Sequence, residues 1–187
     1  MFALIQGRYD ICPYVIGDSM SIMSIKINKN RIFAIIVGVI ILITDQAVKY
    51  MIRLNMQLYD KIEVIPGVFN ITYTQNTGAV FGSFDRYTVL LSVFTAIILL
   101  AGVAALLFWK IKSKLMYWSM ALVIFGGIGN LIDRVFRGFV IDFIDVCIVW
   151  PYIFNIADSA VVIGVCLIML YLLLDTIKEA KKKKQAS

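Results

Sequence analysis

Five aspartates border apolar runs in this 187-residue chain: Asp45, Asp133, Asp142, Asp145 and Asp158. Two carboxyl groups held close at the edge of an apolar phase cannot both ionise easily, so one keeps a proton while the other acts as base. Such a pair activates water. The ionised acid takes the water's proton, the protonated one donates to a carbonyl oxygen, and the tetrahedral intermediate collapses with proton delivery to the leaving amine. The chemistry is that of an aspartic hydrolase, and chemistry by itself does not choose among the five acids. Histidine is missing from the sequence, which removes Ser-His-Asp and Cys-His catalysis, H-E-x-x-H zinc sites and histidine pH switching. Cys12, Cys147 and Cys166 follow no redox or metal spacing and read as apolar or surface residues.

Other polar residues accompany the acids. Asp45 and Lys49 are four apart with the acid first, the favourable order for an ion pair on one helix face. That pair either neutralises itself at the interface or leaves Lys49 to hold a substrate carbonyl or a backbone. In the string Gly126 to Arg134, Gly126, Gly127 and Gly129 let another backbone approach, as small residues do at helix contacts in membranes. Asn130, Asp133 and Arg134 close that helix and read as donors and braces around a polar site. Val140 to Asp145 reads as a short strand-like segment carrying polar residues at Asp142 and Asp145. Asp158, in the string Phe154 to Ser159, is either a reacting acid or the N-cap of the last helix.

The elements that must position these residues follow from composition. Residues of the set AVILMFWYC make up 61% and charged residues 16%, and mean hydropathy is +0.88, against about 45–50% apolar and 25% charged in a soluble domain. The excess must face lipid, which excludes a freely soluble globule, a disordered chain and collagen. Tyr87 to Trp109 runs 23 residues without a charge, enough at about 1.5 Å per residue to cross a hydrocarbon core of about 30 Å. Leu115 to Ile132 and Ser159 to Leu174 are two further spans, and Ile32 to Thr44 spans only if it continues through Asp45 to Lys49.

Lysine and arginine in short loops set orientation. Lys26, Lys29 and Arg31 precede the first span, Lys110, Lys112 and Lys114 join the second to the third, and Lys178 and Lys181 to Lys184 follow the fourth. Both termini are therefore expected in the cytoplasm, and eight of the 12 acids fall on the opposite side. The net charge of +6 is a topology signal and not a nucleic-acid footprint. Residues 1–23 read as a loose cytoplasmic leader or a mis-assigned start, with Met20 and Met23 as other candidate initiators, residues 24–177 as a four-helix membrane domain, and residues 178–187 as a basic cytoplasmic tail attracted to lipid. Val64, Ile65, Val68, Phe69, Ile71, Tyr73, Val80 and Phe81, broken by Pro66-Gly67 and Thr77-Gly78, read as short outer-surface strands. The fold expected is an all-α membrane protein with four transmembrane helices and a small extracytoplasmic β-sheet between helices 1 and 2.

Two other classes compete. One is a small transporter or channel subunit whose intramembrane acids relay protons or bind ions. The other is a Ser-Lys protease using Ser83, Ser92, Ser119 or Ser159 with Lys49, the only lysine deep enough to have its basicity altered by burial.

Taken in order, Asp45-Gln46-x-x-Lys49, Asn76-Thr77-Gly78-Ala79-Val80-Phe81, the Gly126 to Arg134 string, Val140-Ile141-Asp142-Phe143 and Phe154-Asn155-Ile156-Ala157-Asp158-Ser159 resemble the motif set of lipoprotein signal peptidase, bacterial signal peptidase II. The resemblance covers residues 32 to 175 and leaves the leader outside. It implies a plasma-membrane aspartic endopeptidase that removes the signal peptide of diacylglyceryl-modified prolipoproteins, cutting N-terminal to the lipidated cysteine. By motif, Asp142 and Asp158 match the catalytic pair, Asn130 and Arg134 polar residues lining the site, Asn155 the residue one turn before the second acid, and Asp45, Lys49, Asn76 and Gly78 residues that shape and brace the pocket. Asp133 and Asp145 would be supporting acids. The resemblance further implies a lipidated prolipoprotein and membrane lipid as partners and globomycin-type cyclic peptides as inhibitors; the two-acid chemistry calls for no cofactor and no metal, and a monomer is expected.

Overall fold

The computed structural model describes residues 29–78, 84–109, 111, 113–148 and 152–186, with backbone alone at 84–88 and 186. The leader, Lys26, Ala79 to Phe81, Ser83, Lys110, Lys112 and the Asp85 side chain lie outside the described residues.

Four helices are long and apolar enough to cross a membrane. α1 runs Lys29–Asn55, α2 Phe84–Phe108, α3 Lys114–Arg137 and α4 Ile156–Ala186. The first carries straight through Asp45 and Lys49 for 27 residues, about 40 Å. Its two faces are reversed from those of a soluble amphipathic helix. Phe33, Ile36, Ile40, Ile43, Met51 and Leu54 are exposed, whereas Arg31, Asp45 and Lys49 are buried. An apolar face in lipid costs nothing, and an unpaired charge there costs several kcal/mol, so the polar stripe turns inward.

α3 packs against all three other helices, and its glycines serve different neighbours. A Cβ on Gly126 would lie 2.6 Å from the Ala157 carbonyl oxygen of α4, one on Gly127 2.6 Å from Leu99 of α2, and one on Gly129 2.9 Å from Asp45 Oδ2 of α1. Gly126→Ala must therefore push α3 and α4 apart beside Asp158. We expect a loss of about 1–3 kcal/mol, the usual cost of overpacking, with reduced activity; an unchanged midpoint of thermal unfolding in detergent would contradict this contact. At the opposite end of the bundle Arg31 donates to the Leu107 and Trp109 carbonyls at 2.7 and 3.3 Å and lies 5.7 Å from the Tyr117 ring centroid. One arginine thus ties α1 to the end of α2 and the start of α3.

The sheet is antiparallel in the order β1-β2-β3, with β1 at Lys61–Ile65, β2 at Phe69–Asn76 and β3 at Val140–Val146. The first two form the hairpin expected from their β-branched residues, turning at Pro66-Gly67 with Gly67 at φ 69°. The third comes from the link between α3 and α4, so the sheet is not closed within the first loop. Its register sets Asn70 opposite Asp145, Thr74 opposite Asp142 and Asn76 opposite Val140, with a register shift between Ile71 and Thr74. Ile52, Tyr73, Ile141 and Phe143 form the core between sheet and helices. α3 ends at Gly138, a left-handed cap at φ 80° whose N–H donates to the Arg134 carbonyl, and the chain enters β3 two residues later.

Candidate active site

The end of α1, the end of α3, the start of α4 and the sheet meet in one polar cluster. At its centre Lys49, fully buried, donates to Asp45 Oδ2 at 2.8 Å, Asp133 Oδ2 at 3.0 Å and Asn130 Oδ1 at 3.0 Å. An ammonium has three donors, and all three are matched. The alternative in which Lys49 pins a substrate carbonyl is thereby corrected: the side chain is consumed inside the protein because two buried acids would otherwise lack a counter-charge. The same saturation removes it as the base of a Ser-Lys pair. Ser119 and Ser159 donate to their own helix carbonyls, Leu115 and Asn155.

The five acids separate by partner. Asp45 Oδ1 accepts the Ala157 N–H at 2.9 Å, so the Asp45–Lys49 pair also anchors the start of α4. Asp133 is held by Lys49, Gln46 and Arg137 and accepts the Ile141 N–H at 3.2 Å. It braces the strand that carries Asp142 rather than lining the site. Asp145 accepts from Asn70 and Thr72 at 3.1 and 2.9 Å and faces Lys61. A slight cost of burial there is outweighed by those hydrogen bonds and by the Lys61 charge, which hold it below the usual carboxylate value.

Asp142 and Asp158 remain, and among the described residues neither forms an ion pair. Asp142 accepts from Asn155 Nδ2 at 2.7 Å and Asn76 Nδ2 at 3.0 Å. Asp158 accepts from Asn130 Nδ2 at 2.6 Å and the Asn155 N–H at 3.2 Å. Both carboxyl groups are thus bound to Asn155. Burial pushes Asp142 up to about 6; the Asp158 charge adds to this, and the Asn76 and Asn155 hydrogen bonds and the Lys49 charge oppose it. Arg134 lies within electrostatic range of Asp158, Asp142 and Asp133, and its buried Nε has no hydrogen-bond partner.

The N-cap alternative for Asp158 is corrected as well. α4 begins at Ile156, and the cap is Asn155, whose Oδ1 accepts the Asp158 N–H at 2.8 Å while Asp158 returns a bond to the Asn155 N–H. This is a reciprocal capping box, which leaves Asp158 Oδ1 directed at Asn130. The sequence pattern Asn-x-x-Asp could have revealed it. Gln46, which stands in the first family motif, was given no role of its own, and Arg137 was not expected at the site; for Arg137 the four-residue step from Asp133 was the available signal.

Asn76 is held in turn by the Gly78 N–H, which donates to its Oδ1 at 2.9 Å, with Gly78 at φ 72°. Asp158 lines an apolar cavity of about 530 Å³ with Phe154, Ser159, Val162 and Ile163. A second cavity of about 370 Å³ is lined by Gly78, Leu90, Leu91 and Phe94. Among the described residues no cluster of three or more acids and cysteines is placed to hold a metal ion.

Four spanning helices that gather a buried polar cluster under a small sheet define a multi-pass membrane protein with its polar site at one end. The model of the signal peptidase II family matches residues 35–174. A lipoprotein signal peptidase of Geobacter metallireducens is 41% identical over 157 residues, covering 81% of this chain and 96% of the relative. One from Staphylococcus aureus is 40% identical over 153 residues, covering 80% and 93%. A bacterial membrane enzyme solved by the in meso method at 2.3 Å superposes with a TM-score of 0.71 at 40% identity, covering 77% of this chain and 89% of that one. The chain belongs to the signal peptidase II family and is a membrane peptidase.

Proposed function

We propose that this peptidase removes the signal peptide of diacylglyceryl-modified prolipoproteins, cutting N-terminal to the lipidated cysteine, with Asp142 and Asp158 as its catalytic pair. One observation carries the assignment. Of five acids at this end of the bundle, three are matched by lysine or arginine, and the two left without a cation share Asn155.

In this reading the pair holds one proton. The ionised acid takes a proton from water as the water oxygen bonds to the carbonyl carbon, and the protonated acid gives its proton to the carbonyl oxygen. Transfer of a proton to the amide nitrogen then breaks the C–N bond. The signal peptide leaves with a carboxyl end and the lipidated cysteine with a free amine. Asn76, Asn130 and Asn155 hold the carboxyl groups, and Arg134, within electrostatic range of both, places a positive charge near the site. The apolar cavity beside Asp158 suits the lipid or apolar part of the substrate.

The distribution of lysine and arginine supports termini in the cytoplasm and a site at the outer face of the plasma membrane. Residues 24–177 are the peptidase unit and 178–187 a cytoplasmic tail. The enzyme works as a monomer, and globomycin-type cyclic peptides occupy the same pocket. The deciding experiment is cleavage by purified protein in detergent of one precursor with and without its diacylglyceryl group. Binding energy from the remote lipid is spent on positioning the scissile bond, so the lipidated form should be cut at least about a hundredfold faster in kcat/KM. Equal rates would refute the substrate class.

A further inference from the structure

Three asparagines point an N–H at the paired carboxyl groups, and each amide is held in that orientation from its oxygen side. Asn76 Oδ1 accepts the Gly78 N–H and Asn155 Oδ1 the Asp158 N–H, both from the backbone. Asn130 Oδ1 instead receives side-chain donors, Lys49 Nζ at 3.0 Å and Asn155 Nδ2 at 3.1 Å. An ammonium has no lone pair and can meet only the oxygen of an amide. With Lys49 in place, the Asn130 N–H has to face Asp158.

We propose that Lys49 is a positioning residue which, acting through Asn130, decides where the shared proton resides: it commits the Asn130 N–H to Asp158 and so leaves the proton on Asp142. This rests on the reading of Asp142 and Asp158 as the reacting pair. Two asymmetries support it. The donor to Asp158 is an amide polarised by a charge at its other end, and hydrogen bonds in such chains reinforce one another. Of the two donors to Asp142, Asn76 Nδ2 at 3.0 Å carries no charge at its far end, and the nearer is divided, because Asn155 Nδ2 has two hydrogens for three acceptors: Asp142 Oδ1 at 2.7 Å, Asn130 Oδ1 at 3.1 Å and the Ile141 carbonyl at 3.3 Å. Asp142 is also the more enclosed of the two, 2% exposed, whereas Asp158 borders the cavity. The charged groups around it are Asp158 from α4, Arg134 from α3 and Lys49 from α1, while Lys49 itself faces Asp45 and Asp133. The ionised Asp158, next to the cavity, is then the acid that takes the proton from water, and Asp142 the one that gives its proton to the carbonyl oxygen.

Infrared difference spectra of the full protein in detergent, taken between acid and neutral pH without substrate, locate the proton through the C=O band of a protonated carboxyl. The wild-type band, identified by its frequency and midpoint, should survive in Asp158→Asn and be lost in Asp142→Asn, where Asp158 protonates alone with a different frequency and midpoint. Freeing Asn130 should reverse this. The charge-balanced double substitution Asp45→Asn with Lys49→Met lets the amide turn its oxygen to Asp158, so in that background the band should persist after Asp142→Asn. In the same double variant kcat should fall about a hundredfold, the range of general acid–base catalysis, with KM changed less than about threefold because substrate contacts are untouched. Lys49→Gln, whose amide still donates to Asn130, should keep the wild-type band assignment and recover part of the rate. A wild-type band that vanishes in Asp158→Asn would overturn the proposal, as would a double variant that still loses the band with Asp142. The wild-type comparison decides the proton's location even if the double variant does not fold. The spectra need no substrate, so they fail independently of the catalytic reading, which falls if either single Asn variant cleaves at full rate.

Discussion

Asp142→Asn and Asp158→Asn should each lower kcat at least about a thousandfold in correctly inserted protein, since each removes a group that in the proposed mechanism exchanges a proton in the transition state. Asparagine keeps the shape of the side chain and still accepts one hydrogen bond, so loss of activity need not mean loss of fold. Ser159→Ala, beside Asp158 in the cavity, should leave most of the rate because its hydroxyl is already bound to the Asn155 carbonyl. Stability provides a second readout with a definite sign. Asp142 has a folded value of about 6 against 3.8 for the free group. A raised carboxyl favours folding where it is protonated, and that contribution is lost as pH rises from the unfolded value through the folded one. Asp142→Asn should therefore lack this pH dependence, so that wild type loses stability relative to it as pH rises between these values. Urea or thermal unfolding in detergent at acid and neutral pH measures this. An Asn variant that is fully active, or one inactive only because it fails to insert, would remove the support for the pair.

The second large effect is on pH. In the proposed mechanism the reactive form is singly protonated, so kcat/KM should pass through a maximum whose two apparent values belong to the pair. Asp142, raised to about 6 in the presence of the Asp158 charge, carries the last proton. Above that value both acids are ionised and nothing remains to protonate the carbonyl oxygen. The alkaline limb of kcat/KM, which reports the free enzyme, should therefore begin near 6 and fall about tenfold per pH unit. The corresponding limb of kcat should lie higher, because a bound lipopeptide excludes water and deepens the burial that raises Asp142. Cleavage of a lipidated precursor across this range at fixed ionic strength tests both limbs, and a flat profile would rule out proton sharing.

Much of the architecture was legible without coordinates because it depends on local composition. A charge-free run such as Tyr87 to Trp109 has one stable place, and the break in hydropathy at Asp45 could be read as a polar face inside a helix because Lys49 follows at four residues. The three glycines of α3 announced close packing, although not that each serves a different helix. The hairpin was visible in its β-branched residues, but its third strand was not assigned to it, since pairing between residues 70 and 145 leaves no local signature.

For the site, residue types established the chemistry: no histidine, and acids where the solvent is lipid. Residue types left five acids equivalent; the family motifs singled out two. Tertiary structure separates them physically. Whether an aspartate is neutralised depends on which cation the packing brings within reach, and Lys49 reaches Asp133 only because Gly129 lets α1 and α3 close together. The Asn76 and Asn130 contacts span 66 and 28 residues of sequence. They exist only once strand register and helix packing are complete, because a hydrogen bond is decided within tenths of an ångström and hydropathy only over whole turns.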